Sequence, residues 1–131
     1  MELRDTLLEK NYSIVASNGY FSYDSGIRPV IDRINEKEDF FKGLEVADKI
    51  IGKASAMLLS LSGVKKVHAI VLSQAGKDIF EKNGVEYSCD ELTDYIVNRR
   101  GDGMCPMEMT VKDIDDLREA YEALKKKTTL L

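Results

Sequence analysis

Hydrophobic and polar positions change period several times along the chain, and each change predicts an element. Leu3, Leu7 and Leu8 recur at helical spacing and predict a short opening helix to Lys10. From Tyr12 the period becomes two. Tyr12 to Ser17 and Tyr20 to Asp24 flank Asn18-Gly19, the dipeptide that predicts a two-residue type I′ turn with Ala16 opposite Phe21 and Ile14 opposite Tyr23. One face of this hairpin is then apolar, and Ser13, Ser17, Ser22 and Asp24 fall on the other. Pro29 suits the first turn of a helix running to about Asn35, and Glu36 to Asp39 is a charged connection.

The longest periodic stretch comes next. Val46, Ile50, Ala54, Met57, Leu58 and Leu61 fall on one stripe and predict a helix stopped at Gly63, with Gly52, Ala54, Ser55 and Ala56 narrow enough to approach a sheet closely. Val67 to Leu72 is almost continuously apolar, as a strand buried on both faces of a parallel sheet must be. Ser73 can cap a helix from Ala75 to Asn83, Gly84 ends it, and Val85 to Ser88 is short and strand-like, which makes a right-handed crossover unit. Asp90 can cap a further helix from Glu91 to Val97. Pro106 begins another turn, and Asp115 or Asp116 leads into a last amphipathic helix through Lys127. The fold class is therefore α/β: one domain spanning residues 1–131, a three-layer α/β/α mixed sheet whose N-terminal antiparallel hairpin joins at least two parallel strands.

Composition narrows the function classes. The chain has 131 residues, enough to bury a core without a metal or a disulfide. No apolar run approaches the roughly 18 residues that cross a bilayer, and the opening MELRDTLLEKN has no apolar signal segment, so a cytoplasmic location without a membrane partner is expected. A net charge of -4 argues against a nucleic-acid partner, since affinity for a phosphate backbone comes from clustered cations. The two cysteines, Cys89 and Cys105, are expected as free thiols. Lys125 to Lys127 read as cations favoured by the C-terminal end of a helix dipole.

Three kinds of chemistry can be tested on the residues. A catalytic zinc needs three protein ligands, and His68, Cys89 and Cys105 have no close ligand spacing, so neither a metal nor any other cofactor is expected. His68 lies inside a strand and reads as a histidine hydrogen-bonded to its surroundings. Ser73-Gln-Ala-Gly-Lys77 follows a strand and opens a helix, so its N-H groups suit an anion, yet it matches neither the Walker nor the dinucleotide pattern. Cys105 precedes Pro106 and falls near a helix start, where the dipole together with Arg99 or Arg100 favours a thiolate, while Glu108 takes the N3 position of a capping box. Between them, Gly101 and Gly103 free the backbone of a loop in which Asn98, Arg99 and Arg100 offer donors for carboxylate or phosphate; a plain solvated connection explains the same residues.

Ser25-Gly-Ile-Arg-Pro29, Asp48-Lys-Ile-Ile-Gly-Lys-Ala-Ser-Ala56, and Asn98-Arg99 with Met104-Cys-Pro-Met-Glu108 together resemble an uncharacterised prokaryotic family, a domain of unknown function with a cytidine-deaminase-like fold, over roughly residues 11 to 124. The resemblance implies two antiparallel strands followed by parallel ones with helices on both sides. It does not bring the deaminase reaction with it. The corresponding helix starts, Val46-Ala-Asp-Lys49 and Ser73-Gln-Ala-Gly-Lys77, lack the His/Cys-x-Glu and Pro-Cys-x-x-Cys ligands, and Cys105-Pro106 stands later in the chain in reversed order.

The leading expectation is a protein that binds a small anionic or nucleotide-like metabolite at the carboxyl ends of the parallel strands. Arg28, Lys53, Ser73, Asn98, Arg99 and Glu108 are the expected ligand-binding residues, with Cys105 as a candidate catalytic thiol. Two alternatives stay open: an enzyme using the Cys105 thiolate as nucleophile, and a non-catalytic interaction module forming a homodimer through an exposed hairpin edge or helix face. Burial of Met104, Met107 and Met109 against another subunit would favour the second, although such methionines also serve as core filler.

Overall fold

Gly52 splits the stretch that helical spacing predicts as one long helix. In the computed structural model, which describes residues 2–97, 101 and 103–129, Glu45–Ile51 is a strand and the helix begins only at Lys53. Val46, Ile50 and Ala54 are spaced by four, an interval that satisfies a period of two as well as one of 3.6. The β-branched Val46, Ile50 and Ile51 and the extended backbone of Gly52 (φ -107°, ψ -167°) decide for the strand.

The elements in chain order are α1 (Leu3–Glu9), β1 (Ile14–Ala16), β2 (Phe21–Ser22), α2 (Arg28–Glu36), β3 (Glu45–Ile51), α3 (Lys53–Ser62), β4 (Lys66–Ser73), α4 (Gln74–Lys82), β5 (Glu86–Thr93), α5 (Pro106–Val111) and α6 (Leu117–Thr129). The protein is a mixed α/β structure with a five-stranded sheet in the order β2-β1-β3-β4-β5. β1 runs antiparallel to both β2 and β3, and β3, β4 and β5 run parallel. Helices α3 and α4 make the two crossovers.

β5 replaces two predicted elements. Its alternation explains why: Tyr87 and Cys89 pack against the main core, while Ser88 and Asp90 face away from it. Asp90 is an outward residue of an edge strand and caps no helix. The β1–β2 register also differs by one from the expected one. In the connecting loop only Gly19 has positive φ (95°); its N-H donates to the Ala16 carbonyl at 3.0 Å, and the Ala16 N-H donates to the Tyr20 carbonyl at 2.8 Å. The Asn18 side-chain oxygen accepts from the Tyr20 N-H at 3.0 Å. The connection is thus a three-residue loop ending in a left-handed glycine, and Val15 pairs with Phe21 and Ile14 with Ser22. That shift turns Phe21 to the face where it stacks on Tyr12, with ring centroids 4.3 Å apart.

The two faces of the sheet are covered unequally. Val30, Ile31 and Ile34 of α2, most of α3, Phe80 of α4, Val111 of α5 and Leu124 of α6 bury themselves against Ile14, Val46, Val67, Ala69 and Leu72. On the opposite face Leu7 of α1 packs on Val15 and Ala47, with Leu3, Tyr12 and Ile70 around them. Among the described residues no helix is long and apolar enough to cross a membrane.

Asp48 is the buried carboxylate of the central strand, between Ile14 of β1 and Ala69 of β4. It bonds its own strand, accepting from the Ile50 N-H at 3.2 Å. Burial pushes its carboxyl up to about 7, against the pull of the Ile50 and Lys49 N-H groups. A carboxyl raised on folding favours the folded state only while protonated, so stability falls as pH rises from about 4 toward 7. Asp48→Asn is expected to abolish that fall and to gain up to about 4 kcal/mol at pH 8, since each tenfold change in proton affinity corresponds to about 1.4 kcal/mol. Urea unfolding of both proteins at pH values of about 3 and 8, on either side of that window, measures it.

Candidate functional site

Parallel strands that end in turns feeding helices aim several helix starts at one end of the sheet. Here α3 and α4 begin within touching distance of each other, and two glycines allow it. A Cβ on Gly76 would stand 3.1 Å from the Gly52 carbonyl oxygen, and a Cβ on Gly52 would stand 2.1 Å from Glu108 Oε1 and 2.8 Å from Ile96 Cγ1. Ser73, buried at the end of β4, caps α4 by accepting from the Gly76 N-H at 3.0 Å.

The start of α3 is capped from another helix. Glu108 of α5 is buried and accepts from the Lys53 N-H through Oε1 at 2.6 Å and from the Ala54 N-H through Oε2 at 2.7 Å. The capping box expected around Cys105 does not form: the Cys105 N-H donates to the Ile96 carbonyl at 2.9 Å, and among the described residues no side chain caps α5. The two orphan N-H groups of α3 and its positive dipole end hold the carboxylate more strongly than its own helix would. Burial raises the Glu108 carboxyl above the usual carboxylate range, opposed by the Ala54 and Lys53 N-H groups and the Lys53 ammonium.

Beside this junction lies a cleft of about 310 Å³. Lys53 and Ser73 border it from the β3 and β4 ends, Asp94 and Tyr95 from the β5 end, and Met104, Glu108 and Lys112 from α5 and its approaches. Ala75 and Ile79 of α4 give an apolar wall, with Asp78 and Lys82 on the same helix. Lys53 Nζ is tied down, donating to the Lys112 carbonyl at 3.1 Å and lying 4.0 Å from Asp115. Tyr95 is half exposed, so its ring is open to a planar ligand.

Of the residues expected from the sequence, Lys53, Ser73 and Glu108 border this cleft. Arg28 does not: it sits on α2, donates to the Thr128 carbonyl at 2.9 Å and pairs with Asp32. Cys105 precedes α5, half-buried and outside the cleft lining, and both cysteines are free thiols. Asn98 and Arg99 lie outside the described residues; Val97 and Met104, on either side of that stretch, form an isolated antiparallel bridge. The helix predicted from Glu91 to Val97 conceals Asp94 and Tyr95, since a strand ending at Thr93 would mark them as strand-end residues. Lys82 and Lys112 carry no local signal.

Comparison with known proteins adds a family and a fold. A family model described as TM1506, domain of unknown function (DUF1893), matches residues 2–128. The crystal structure of a DUF1893 family protein (TM1506) from Thermotoga maritima matches with a TM-score of 0.87 at 30% identity, covering 94% of this chain and 85% of that one. The comparison with curated proteins gives no match.

The contact of Glu108 with α3 makes two substitutions interdependent. Glu108→Ala strands two helix N-H groups and is expected to cost about 2 kcal/mol. Gly52→Ala drives a methyl into the fixed carboxylate and should cost a similar amount, about 2 kcal/mol. In the double variant the methyl occupies the space the carboxylate left, so the combined loss should fall short of the sum by about 1 kcal/mol or more, read from denaturant unfolding.

Proposed function

The chain belongs to the DUF1893 family, and on that premise we propose that it binds a small anionic or nucleotide-like metabolite in the cleft at the carboxyl ends of its parallel strands. The observation that carries this reading is the pairing, in one cleft, of an open aromatic ring with charges of both signs. Tyr95 can stack on a base. Lys82 and Lys112 can meet phosphate oxygens, and Asp78 and Asp94 can accept from hydroxyl or amino groups. A purely anionic ligand would leave those carboxylates opposed to it, so the mixed lining favours a nucleotide over a bare phosphate.

Glu108 enters this reading as part of the wall. The α3 helix start, otherwise suited to a phosphate, already holds its carboxylate, which directs the ligand toward the lysines. Asn98 and Arg99 remain proposed contacts on the strength of the sequence. The order β2-β1-β3-β4-β5, two antiparallel strands followed by parallel ones with helices on both faces, supports a cytidine-deaminase-like fold. Zinc-dependent deamination is not part of the proposal, because among the described residues no three His, Cys, Asp or Glu side chains converge as ligands.

Calorimetric titration with nucleoside mono- and diphosphates tests the proposal. Binding is expected, with Tyr95→Ala weakening it about 10-fold or more, in line with roughly 1–3 kcal/mol for stacking a base on an aromatic ring. Lys82→Ala should weaken the phosphorylated ligands and not the parent nucleosides. Arg28→Ala should change nothing. Absence of binding across the panel, or affinity indifferent to Tyr95 and Lys82, overturns the reading.

A further inference from the structure

The opposite end of the sheet carries a second constellation. Ser88 and His68 are register partners on β5 and β4, and Asp90 follows two residues along β5 on the same face. Ser88 Oγ lies 2.6 Å from His68 Nδ1, and His68 Nε2 lies 2.8 Å from Asp90 Oδ1. Arg4 of α1 grips Asp90 from behind: its Nε donates to Oδ1 at 3.0 Å, and its Nη2 donates to Oδ2 at 2.6 Å. Those bonds, Arg4 first and His68 second, hold the Asp90 carboxyl down at about 2.

An ionised carboxylate can only accept. In the neutral imidazole Nε2 therefore carries the hydrogen and points it at Asp90, which leaves the Nδ1 lone pair to accept the Ser88 hydroxyl proton. That is the order nucleophile, base, orienting acid. Stability does not require it, because His68 and Asp90 are 20% and 30% exposed at their side chains and water would satisfy each group. The constellation also opens onto space. A cleft of about 410 Å³, lined by Ser88, His68, Lys66, Arg4, Ser17 and Glu45, lies where α1 leaves the sheet uncovered.

We propose that Ser88, His68 and Asp90 form a nucleophilic site that hydrolyses small esters in this second cleft. Ser88 Oγ bonds to the acyl carbon while its proton passes to His68 Nδ1; the carbon–oxygen bond to the leaving group breaks, and that oxygen takes the proton from His68. Water then attacks the acyl-serine, giving its proton to His68 and its hydroxyl to the departing acid, and the proton returns to Ser88 Oγ. The cations on the cleft wall are Lys66, paired with Glu86 at 3.4 Å, and Arg4, held by Asp90, so Lys66 is the one that can turn toward the oxyanion by leaving an exposed partner. His68 is the base, and Asp90 is a positioning residue.

A serine-directed fluorophosphonate probe tests this, with the site of attachment read by mass spectrometry on the intact protein. One adduct is expected, on Ser88. Ser88→Ala, exposed and outside the core, should fold unchanged and take up no probe. His68→Ala and His68→Gln should each slow labelling by roughly 100-fold, the lower range for a lost general base. Asp90→Asn should lower the maximal labelling rate without moving the probe concentration that half-saturates it, a split that loss of a mere tether between strands would not give. No adduct on Ser88 of the folded protein, or labelling that survives both His68 variants, overturns the proposal.

Discussion

A buried carboxylate held by the first turn of a helix from elsewhere in the chain organises this protein. Glu108 reaches from α5 to the start of α3 and takes two backbone N-H groups that would otherwise need water. The contact is possible only because residue 52 has no side chain, since a methyl there would overlap the carboxylate. One bond pair thereby ties the β3–α3 turn to the segment after β5, two stretches 55 residues apart. The cleft between them takes its shape from that tie, and a dipole-satisfied helix start leaves the neighbouring lysines and Tyr95 to face a ligand.

The same asymmetry that builds one cleft opens the other. Five helices crowd one face of the sheet and only α1 covers part of the second, among the described residues. A face left open at β4 and β5 must carry polar residues, and here it carries Ser88, His68 and Asp90 in line, with Arg4 of α1 joining them to the covered part. The two clefts lie at opposite ends of the parallel strands, so changes in one leave the lining of the other untouched.

How much of this could be read from residues varies with the physics behind each element. The strand from Lys66 to Ser73 and the Ser73 cap were legible from a continuous apolar run and a hydroxyl at a helix start, but the expected burial on both faces was not: Lys66, His68 and Ile70 lie on a face only partly covered. β3 was not legible, because a spacing of four fits helix and strand alike and the deciding element is a single glycine. Asp90 misleads for a related reason: an aspartate before Glu91 suits a helix cap, and only its partner strand shows that it points outward beside His68. Ser73 and Glu108 are legible as polar residues near helix starts, whereas Lys53 falls inside a predicted helix and only the break at Gly52 puts it at one. Which start Glu108 serves is a tertiary matter that no local pattern carries, and the same holds for the meeting of Arg4 with Asp90 across 86 positions.

Ligand binding in the cleft at the strand ends is the claim on which the functional reading stands. Amide chemical shifts followed by NMR during titration with a nucleoside monophosphate test it most directly. Saturable shifts concentrated at Lys53, Ser73 to Gly76, Asp94, Tyr95 and Met104 to Glu108 are expected, with α1 and α2 silent. Shifts spread evenly over the surface, or centred away from those residues, would contradict it.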